Sequence, residues 1–143
     1  MKFFITLILS ITMILPAVKQ SGSTLTVQVD GLKNKNGYIA IALFDQYGDF
    51  PEGDGVQTQY VEVNGSSMEV VFKDIEPGDY AVAILHDENG NEEMDYNEYQ
   101  MPLEGFGFSN NAVAESGPPR FGDAAFSMSE DKVITIDLIY LIR

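Results

Sequence analysis

Cysteine and tryptophan are absent from this chain, histidine occurs once, and bases are scarce. Without cysteine there is no disulfide framework, thiolate nucleophile or thiolate metal site, and no lipobox for N-terminal lipid attachment. One histidine makes a Ser-His-Asp triad hard to assemble, and no G-x-S-x-G elbow appears. Only 8 Lys and Arg face 22 Asp and Glu, a formal charge of −14. Nucleic-acid binding needs a basic stripe to displace counterions, so this balance excludes it. An anionic membrane surface is disfavoured on the same grounds. What remains is ordinary globular composition, with 143 residues and 45% hydrophobic content, room for one domain and no second core.

The N-terminus is set apart from the rest. Lys2 gives a short positive start, Phe3 to Leu15 is an uncharged run, and Pro16 ends any helix. A bilayer-spanning helix needs about 20 apolar residues, so the run is too short to span. It matches the hydrophobic region of a secretory signal. Small residues at Ser21 and Ser23 allow a cut before Thr24, and Ala17 allows an earlier one. The expected organisation is a signal peptide over 1–23 and a single domain over 24–143, working outside the cytoplasm in the periplasm or fully secreted. From Thr24 on, six bases stand against all 22 acids, a net charge of −16.

Beyond Thr24 the dominant period is two. Leu25, Val27 and Val29 alternate with Thr26, Gln28 and Asp30, the pattern of a half-buried strand. Tyr38 to Phe44 and Tyr80 to His86 are apolar on both faces, which predicts central strands covered on both sides. Tyr60 to Val63 and Met68 to Phe72 flank Asn64-Gly65-Ser66, a hairpin signal because Asn and Gly tolerate positive φ. Pro77-Gly78 predicts another tight turn, with Gly in the left-handed position. Ile134 to Leu141 supplies the last strand, and no window carries a helical stripe. Strands so short and so regularly spaced predict an all-β fold, a Greek-key β-sandwich of about seven strands, prealbumin- or immunoglobulin-like. Asp87 to Gly122 stands out as far longer than an ordinary connection of about 4–6 residues.

That long segment opens with the most informative residues. Counting from Asp87, oxygen side chains fall at places one (Asp87), three (Asn89), five (Asn91), nine (Asp95) and twelve (Glu98). Glu93 stands at place seven, where a backbone carbonyl serves. This is the ligand spacing of a calcium loop, in which alternate oxygens turn toward one hard cation. Met94 matches the apolar residue that tethers such loops. Glu92 occupies the sixth place, where Gly normally makes the sharp turn, and a left-handed non-Gly residue costs about 1 kcal/mol. Six acids lie between Asp87 and Glu98 with no base, and a cation would relieve their repulsion. The competing reading is a solvated acidic hairpin turning at Asn89-Gly90.

Other candidates carry less. His86 ends an apolar strand and reads as a structural core histidine, its neighbour Asp87 pointing to the opposite face. Phe106, Phe108, Phe121 and Phe126, interleaved with Gly, Asn and Arg120, read as anchors of the long segment; the alternative is a sugar or peptide platform. Paired carboxylates can hydrolyse a glycoside, but among 22 acids some pair arises by chance.

These residues also carry a resemblance. Ile75-Glu-Pro-Gly-Asp-Tyr-Ala-Val-Ala-Ile-Leu-His-Asp-Glu-Asn-Gly-Asn91, the later Gly-Phe-Gly-Phe-Ser-Asn-Asn, Gly-Pro-Pro and Phe-Gly-Asp-Ala-Ala-Phe together resemble the bacterial family named domain of unknown function 2141. The likeness runs from Leu25 to Tyr140. The Pro-Gly-x-Tyr element is also similar to transthyretin-like and Cna-B-like sandwich modules. The resemblance implies an exported sandwich without an established enzymatic activity. The acidic loop of the family continues Asn-Gly-Asn-Gly, and here Glu92 replaces the last Gly. The expected function is a non-catalytic module of the cell envelope, with a calcium-stabilised loop and an envelope protein, glycan or peptide as partner. The competing class is a small extracytoplasmic hydrolase using carboxylates near the 87–122 segment.

The leader reading has a direct check. N-terminal sequencing of exported protein should start near Thr24, and recovery of intact Met1 on a membrane-bound form would refute cleavage.

Overall fold

The structure is a computed structural model that describes residues 22–142, so the expected leader falls almost wholly outside the described residues. Eight strands form in chain order: β1 (Ser23–Asp30), β2 (Tyr38–Asp45), β3 (Gln57–Glu62), β4 (Met68–Ile75), β5 (Gly78–Asp87), β6 (Gly105–Phe108), β7 (Phe126–Met128) and β8 (Lys132–Asp137). One sheet has the order β4-β1-β8, with β4 antiparallel and β8 parallel to β1. The other runs β3-β2-β5-β6, all antiparallel, and β7 adds to the start of β5. The two sheets pack face to face as an all-β sandwich.

Period-two patterning explains what fills the interior. Leu25, Val27 and Val29 of β1 meet Ile39, Ile41 and Leu43 of β2, Val70 and Phe72 of β4, Val82 and Ile84 of β5, and Ile136 of β8. All are buried, most of them completely. The opposite face of the larger sheet is covered only in part. At one end Phe44 meets Phe50 edge to face, and Ala81, Phe108 and Ala124 form a second cluster with Phe106 and Phe121. Farther along, Ala40, Ala42 and Leu85 stay half-buried, so the expectation of strands covered on both sides holds only for part of their length.

Both lateral seams between the sheets are closed by hydrogen bonds. Along one, Gln59 and Gln57 of β3 donate their side-chain amides to the Val71 and Lys73 carbonyls of β4, at 2.8 and 2.9 Å. Along the other, Phe106 of β6 and Ile139, just beyond β8, exchange two backbone bonds of 3.0 and 2.7 Å. Free edges invite further strands; here these seams are occupied from within.

Three expectations are corrected. Asn64-Gly65-Ser66 does not make a hairpin: β3 and β4 lie in different sheets, and the segment is a corner between them. A two-residue hairpin of type I′ needs positive φ at its centre, and neither Asn64 nor Gly65 has it. Val63 instead turns inward, buried, with its amide on the Gly37 carbonyl at 3.0 Å. Gly78 is not left-handed either; Asp74 is, at φ 57°, where the pairing of β1 with β4 shifts register. Finally, the span 87–122 is not one loop, because β6 lies inside it.

The four phenylalanines from Phe106 to Phe126 and the Ser109-Asn110-Asn111 segment pack or bond onto the sandwich. Phe108 is buried; Phe106, Phe121 and Phe126 are half-buried against the two clusters. Ser109 accepts the Val82 amide at 2.9 Å and donates to the Ala124 carbonyl at 2.6 Å, replacing a ladder partner. Asn110 and Asn111 both adopt positive φ, and their amides bond Ala125 and Asp137. Asn tolerates the left-handed region because its side chain can stand in for backbone. A single helical turn, α1 (Phe121–Ala124), follows.

Phe72 sits fully buried between the sheets. Replacing it with Ala should cost about 3–5 kcal/mol from lost transfer energy and the cavity left behind. Urea unfolding measures this, and a loss below about 1 kcal/mol would show that the inter-sheet core is not where the stability resides.

Candidate functional site

The end of β5 alternates as a strand must, so His86 points into the sandwich and Asp87 points out of it. Both are fully buried. His86 is a core histidine: Nε2 lies 2.8 Å from the Asn36 carbonyl and Nδ1 lies 2.6 Å from the Tyr140 hydroxyl. A carbonyl only accepts, so Nε2 carries the proton and Nδ1 accepts from Tyr140. Tyr140 in turn accepts the Lys33 amide at 3.2 Å. The imidazole thereby ties β5 to the 31–37 turn and to the C-terminal segment.

Asp87 organises the loop that follows. Its Oδ1 accepts the Gly90 and Asn91 amides at 2.8 and 3.2 Å. Its Oδ2 accepts the Glu92 amide at 2.8 Å and the Tyr60 hydroxyl at 2.5 Å. Tyr60 reaches it across β2 while stacking on Tyr38, ring centroids 4.5 Å apart. Burial pushes the Asp87 carboxyl up, but the Tyr60 hydroxyl and the three amides together outweigh it and hold the group below its ordinary value. The Tyr60 phenol is pushed up by burial and by the carboxylate it bonds.

The next residues make two successive turns closed by asparagine side chains. The Asn89 side-chain oxygen accepts the Asn91 amide, and the Asn91 oxygen accepts the Glu93 amide, both at 3.1 Å. Glu92, at the sixth place, is left-handed with φ 64°. The Asn89 and Asn91 amide groups both donate to Asp95, at 2.5 and 3.1 Å. Asn89, Asn91 and Asp95 therefore converge. Asp87 stands beside them, its lone pairs taken by backbone and Tyr60. The Glu93 side chain is exposed, Met94 is half-buried, and Glu98 is exposed on a short hairpin beyond the group. Among the described residues no three Asp, Glu or His side chains gather within metal-ligand reach of one another.

From Asp95 the chain makes that hairpin, closed by the Leu103 amide on the Asp95 carbonyl and the Asn97 amide on the Met101 carbonyl. It returns to Glu104 at the threshold of β6. Glu104 is buried, and its two oxygens accept the Glu88 amide at 2.9 Å and the Asp95 amide at 3.2 Å. Burial pushes its carboxyl up; the Asp95 and Glu88 amides offset this only in part, and the Asp95 and Asp87 carboxylates add to the rise. The loop thus hangs from two buried carboxylates, one at each end.

Neither Tyr60 nor Glu104 was recognised from sequence. Glu104 left one trace, as the lone acid in Met101-Pro-Leu-Glu-Gly-Phe-Gly-Phe. Tyr60 left none, since its reach to Asp87 depends on the strand order β3-β2-β5. In chemical terms both buried carboxylates act as acceptors for main-chain amides. Two shallow concavities lie at the other end of the sandwich, where Asp45 pairs with Tyr80, lined by residues of 45–56 and of 118–120.

The shift at Asp87 sets a sign. Its folded pKa lies below the unfolded value of about 3.9, so its contribution is full above that value and is lost as pH falls through the folded one. Asp87→Asn puts a donor where the Glu92 amide or Tyr60 now donates, and should cost about 1–3 kcal/mol at pH 7. Urea unfolding from pH 7 down to pH 2 should show the gap between wild type and variant narrowing below about pH 4. A gap that stays constant with pH would show that Asp87 is not the charged acceptor described.

Comparison with known proteins adds the lineage. A family model described as uncharacterized protein conserved in bacteria (DUF2141) matches residues 27–136, from the second half of β1 through nearly all of β8. No curated protein and no solved structure matches the chain. The match covers the sandwich, the loop hung on Asp87 and Glu104, and the Ser109-Asn110-Asn111 junction, and the chain therefore belongs to the DUF2141 family.

Proposed function

We propose that the protein works outside the cytoplasm as a non-catalytic binding module of the cell envelope, and that its 87–104 loop takes up calcium weakly. The observation that carries the calcium reading is Glu92 at φ 64°. The sixth place of a calcium loop is where the chain turns sharply and normally carries Gly. A non-Gly residue held there, at a cost of about 1–2 kcal/mol, supports a loop shaped for alternate oxygens rather than a plain hairpin. Asn89, Asn91 and Asp95 would hold the ion together with the Glu93 carbonyl, while Asp87 and Glu104 shape the chain around them. Calcium accepts such an oxygen set; zinc prefers nitrogen and sulfur.

The non-catalytic reading draws support from the same bonds. A carboxylate that works as acid, base or nucleophile must reach a substrate proton or carbon. Asp87 and Glu104 are buried, and each oxygen is engaged by an amide or a phenol.

One carboxylate among the ligands implies a dissociation constant on the order of 10⁻⁴–10⁻³ M, as in extracellular modules. At millimolar calcium, mass action then adds about 1 kcal/mol, or roughly 3–5 °C in melting temperature for a domain of this size. Thermal unfolding in millimolar calcium against chelator should show that shift in the wild type and none in Asp95→Ala. An unchanged wild-type midpoint, or an equal shift in the variant, would refute calcium binding at this loop.

A further inference from the structure

The hairpin between Asp95 and Leu103 has no structural task that explains its surface. Tyr96, Tyr99, Met101 and Leu103 are 54, 75, 40 and 41% exposed. They make up four of the ten large apolar side chains exposed among the described residues, gathered within eight consecutive positions. Scattered apolar residues on a surface need no explanation, whereas a concentrated group marks an interaction site.

The hairpin is also built to be stiff. Besides its two cross-strand bonds, the Asn97 side-chain oxygen accepts the Tyr99 amide at 2.9 Å and the Met101 amide at 3.0 Å. The Gln100 amide closes on the Asn97 carbonyl at 3.0 Å, with Gln100 itself left-handed at φ 59°. Its base is held by Glu104 through the Asp95 amide. A tip already ordered loses little further freedom on binding, which is how preorganised contacts gain affinity.

Charge decides what such a tip can meet. Glu92, Glu93 and Glu98 are exposed around it. No Lys or Arg occurs anywhere between Lys73 and Arg120, a stretch holding eleven of the 22 acids. An anionic bilayer and a second copy of this acidic chain are both repelled. A basic surface is attracted, because complementary potentials steer encounter and set register.

We infer that the 95–103 hairpin is a docking knob for a basic protein surface, one whose apolar pocket, rimmed by Lys or Arg, receives Tyr99 and Met101. The inference rests on the binding-module reading and does not depend on calcium. Exposed Tyr supplies large contact area with few rotatable bonds, and Tyr is over-represented where interfaces concentrate their energy.

The test uses a fluorescent amphipathic Leu/Lys peptide of about five helical turns, titrated with the purified protein in chelator and read by anisotropy. A Lys/Gln peptide of equal length and charge serves as the control. The Leu/Lys peptide should bind, more weakly as salt rises. Tyr99→Ser with Met101→Ser should weaken it by about tenfold or more, as should the Lys/Gln replacement. Both side chains are exposed, and an unchanged circular dichroism spectrum and melting temperature confirm that the variant is folded. Equal affinity for the two peptides, or for wild type and variant, overturns the inference. So does dimerisation that requires Tyr99 and Met101, or adsorption to phosphatidylcholine vesicles through them. A missing calcium shift alongside intact peptide binding refutes the calcium reading alone and leaves the knob standing.

Discussion

A carboxylate taken fully out of water must be met by donors, and Asp87 is the place where this sandwich incurs that obligation. The unfavourable term is several kcal/mol for an ion left without partners, larger than the cost of any single backbone contortion in the loop. The chain meets it with the amides of Gly90, Asn91 and Glu92 and the hydroxyl of Tyr60. Three of those four donors come from the segment immediately after β5, so the conformation of that segment is not free. Glu92 adopts a left-handed backbone at about 1–2 kcal/mol because its amide is needed at Oδ2. The fourth donor comes from β3, two strands away, which couples the loop to the pairing order of the sheet. Gly37 belongs to the same arrangement: a Cβ there would collide with the Asp87 carbonyl, and its own φ of 67° suits glycine.

The second determinant is closure of the seams. Strand addition is a common way for a sandwich to recruit a partner, and it requires an edge with unpaired amides and carbonyls. Gln57 and Gln59 occupy carbonyls of β4 from the neighbouring sheet, and the Phe106–Ile139 pair links β6 to the chain beyond β8. Gly105 makes this second seam possible, because a Cβ there would strike the Tyr140 ring. Outside these seams, the 88–104 segment carries both a concentrated group of exposed apolar side chains and dense negative charge.

How much of this was legible follows from which forces act locally. The strands at Leu25, Tyr38, Met68 and Tyr80 could be read because alternation is local and the core enforces it. Whether two successive strands pair is not local. Asn64-Gly65 carries the composition of a hairpin, but the burial of Val63 and the Gln bridges to β4 are tertiary, and they override turn propensity. The four phenylalanines of 106–126 were identifiable as anchors, whereas β6 among them was not: Gly-Phe-Gly-Phe is too short and too glycine-rich to read as a strand. In the candidate site, spacing singled out the segment from Asp87 to Glu98, and the hydrogen bonds joining Asn89 and Asn91 to Asp95 are tertiary detail that spacing does not specify. Glu98 was not separable from Glu104 by spacing alone, because the intervening hairpin decides which acid returns to the loop.

The hairpin also resolves an apparent conflict in this loop between crowding negative charge and ordering the chain. Six acids between Asp87 and Glu98 would repel one another if each relied on solvent alone. The buried or central ones are instead assigned to donors: Asp87 to amides and a phenol, Glu88 to the Asn34 side chain, Asp95 to the Asn89 and Asn91 side chains, and Glu104 just beyond to two more amides. Glu92, Glu93 and Glu98 are left outside, exposed and without a base in the surrounding sequence. Charges that order the loop are therefore distinct from charges that set its external field. Asp87 and Glu104 accept the amides that shape the loop, whereas the side chains of Glu92, Glu93 and Glu98 are exposed to solvent. The exposed Tyr96, Tyr99, Met101 and Leu103 of the hairpin therefore stand beside exposed charge of one sign, and the donors that order the chain engage a different set of acids.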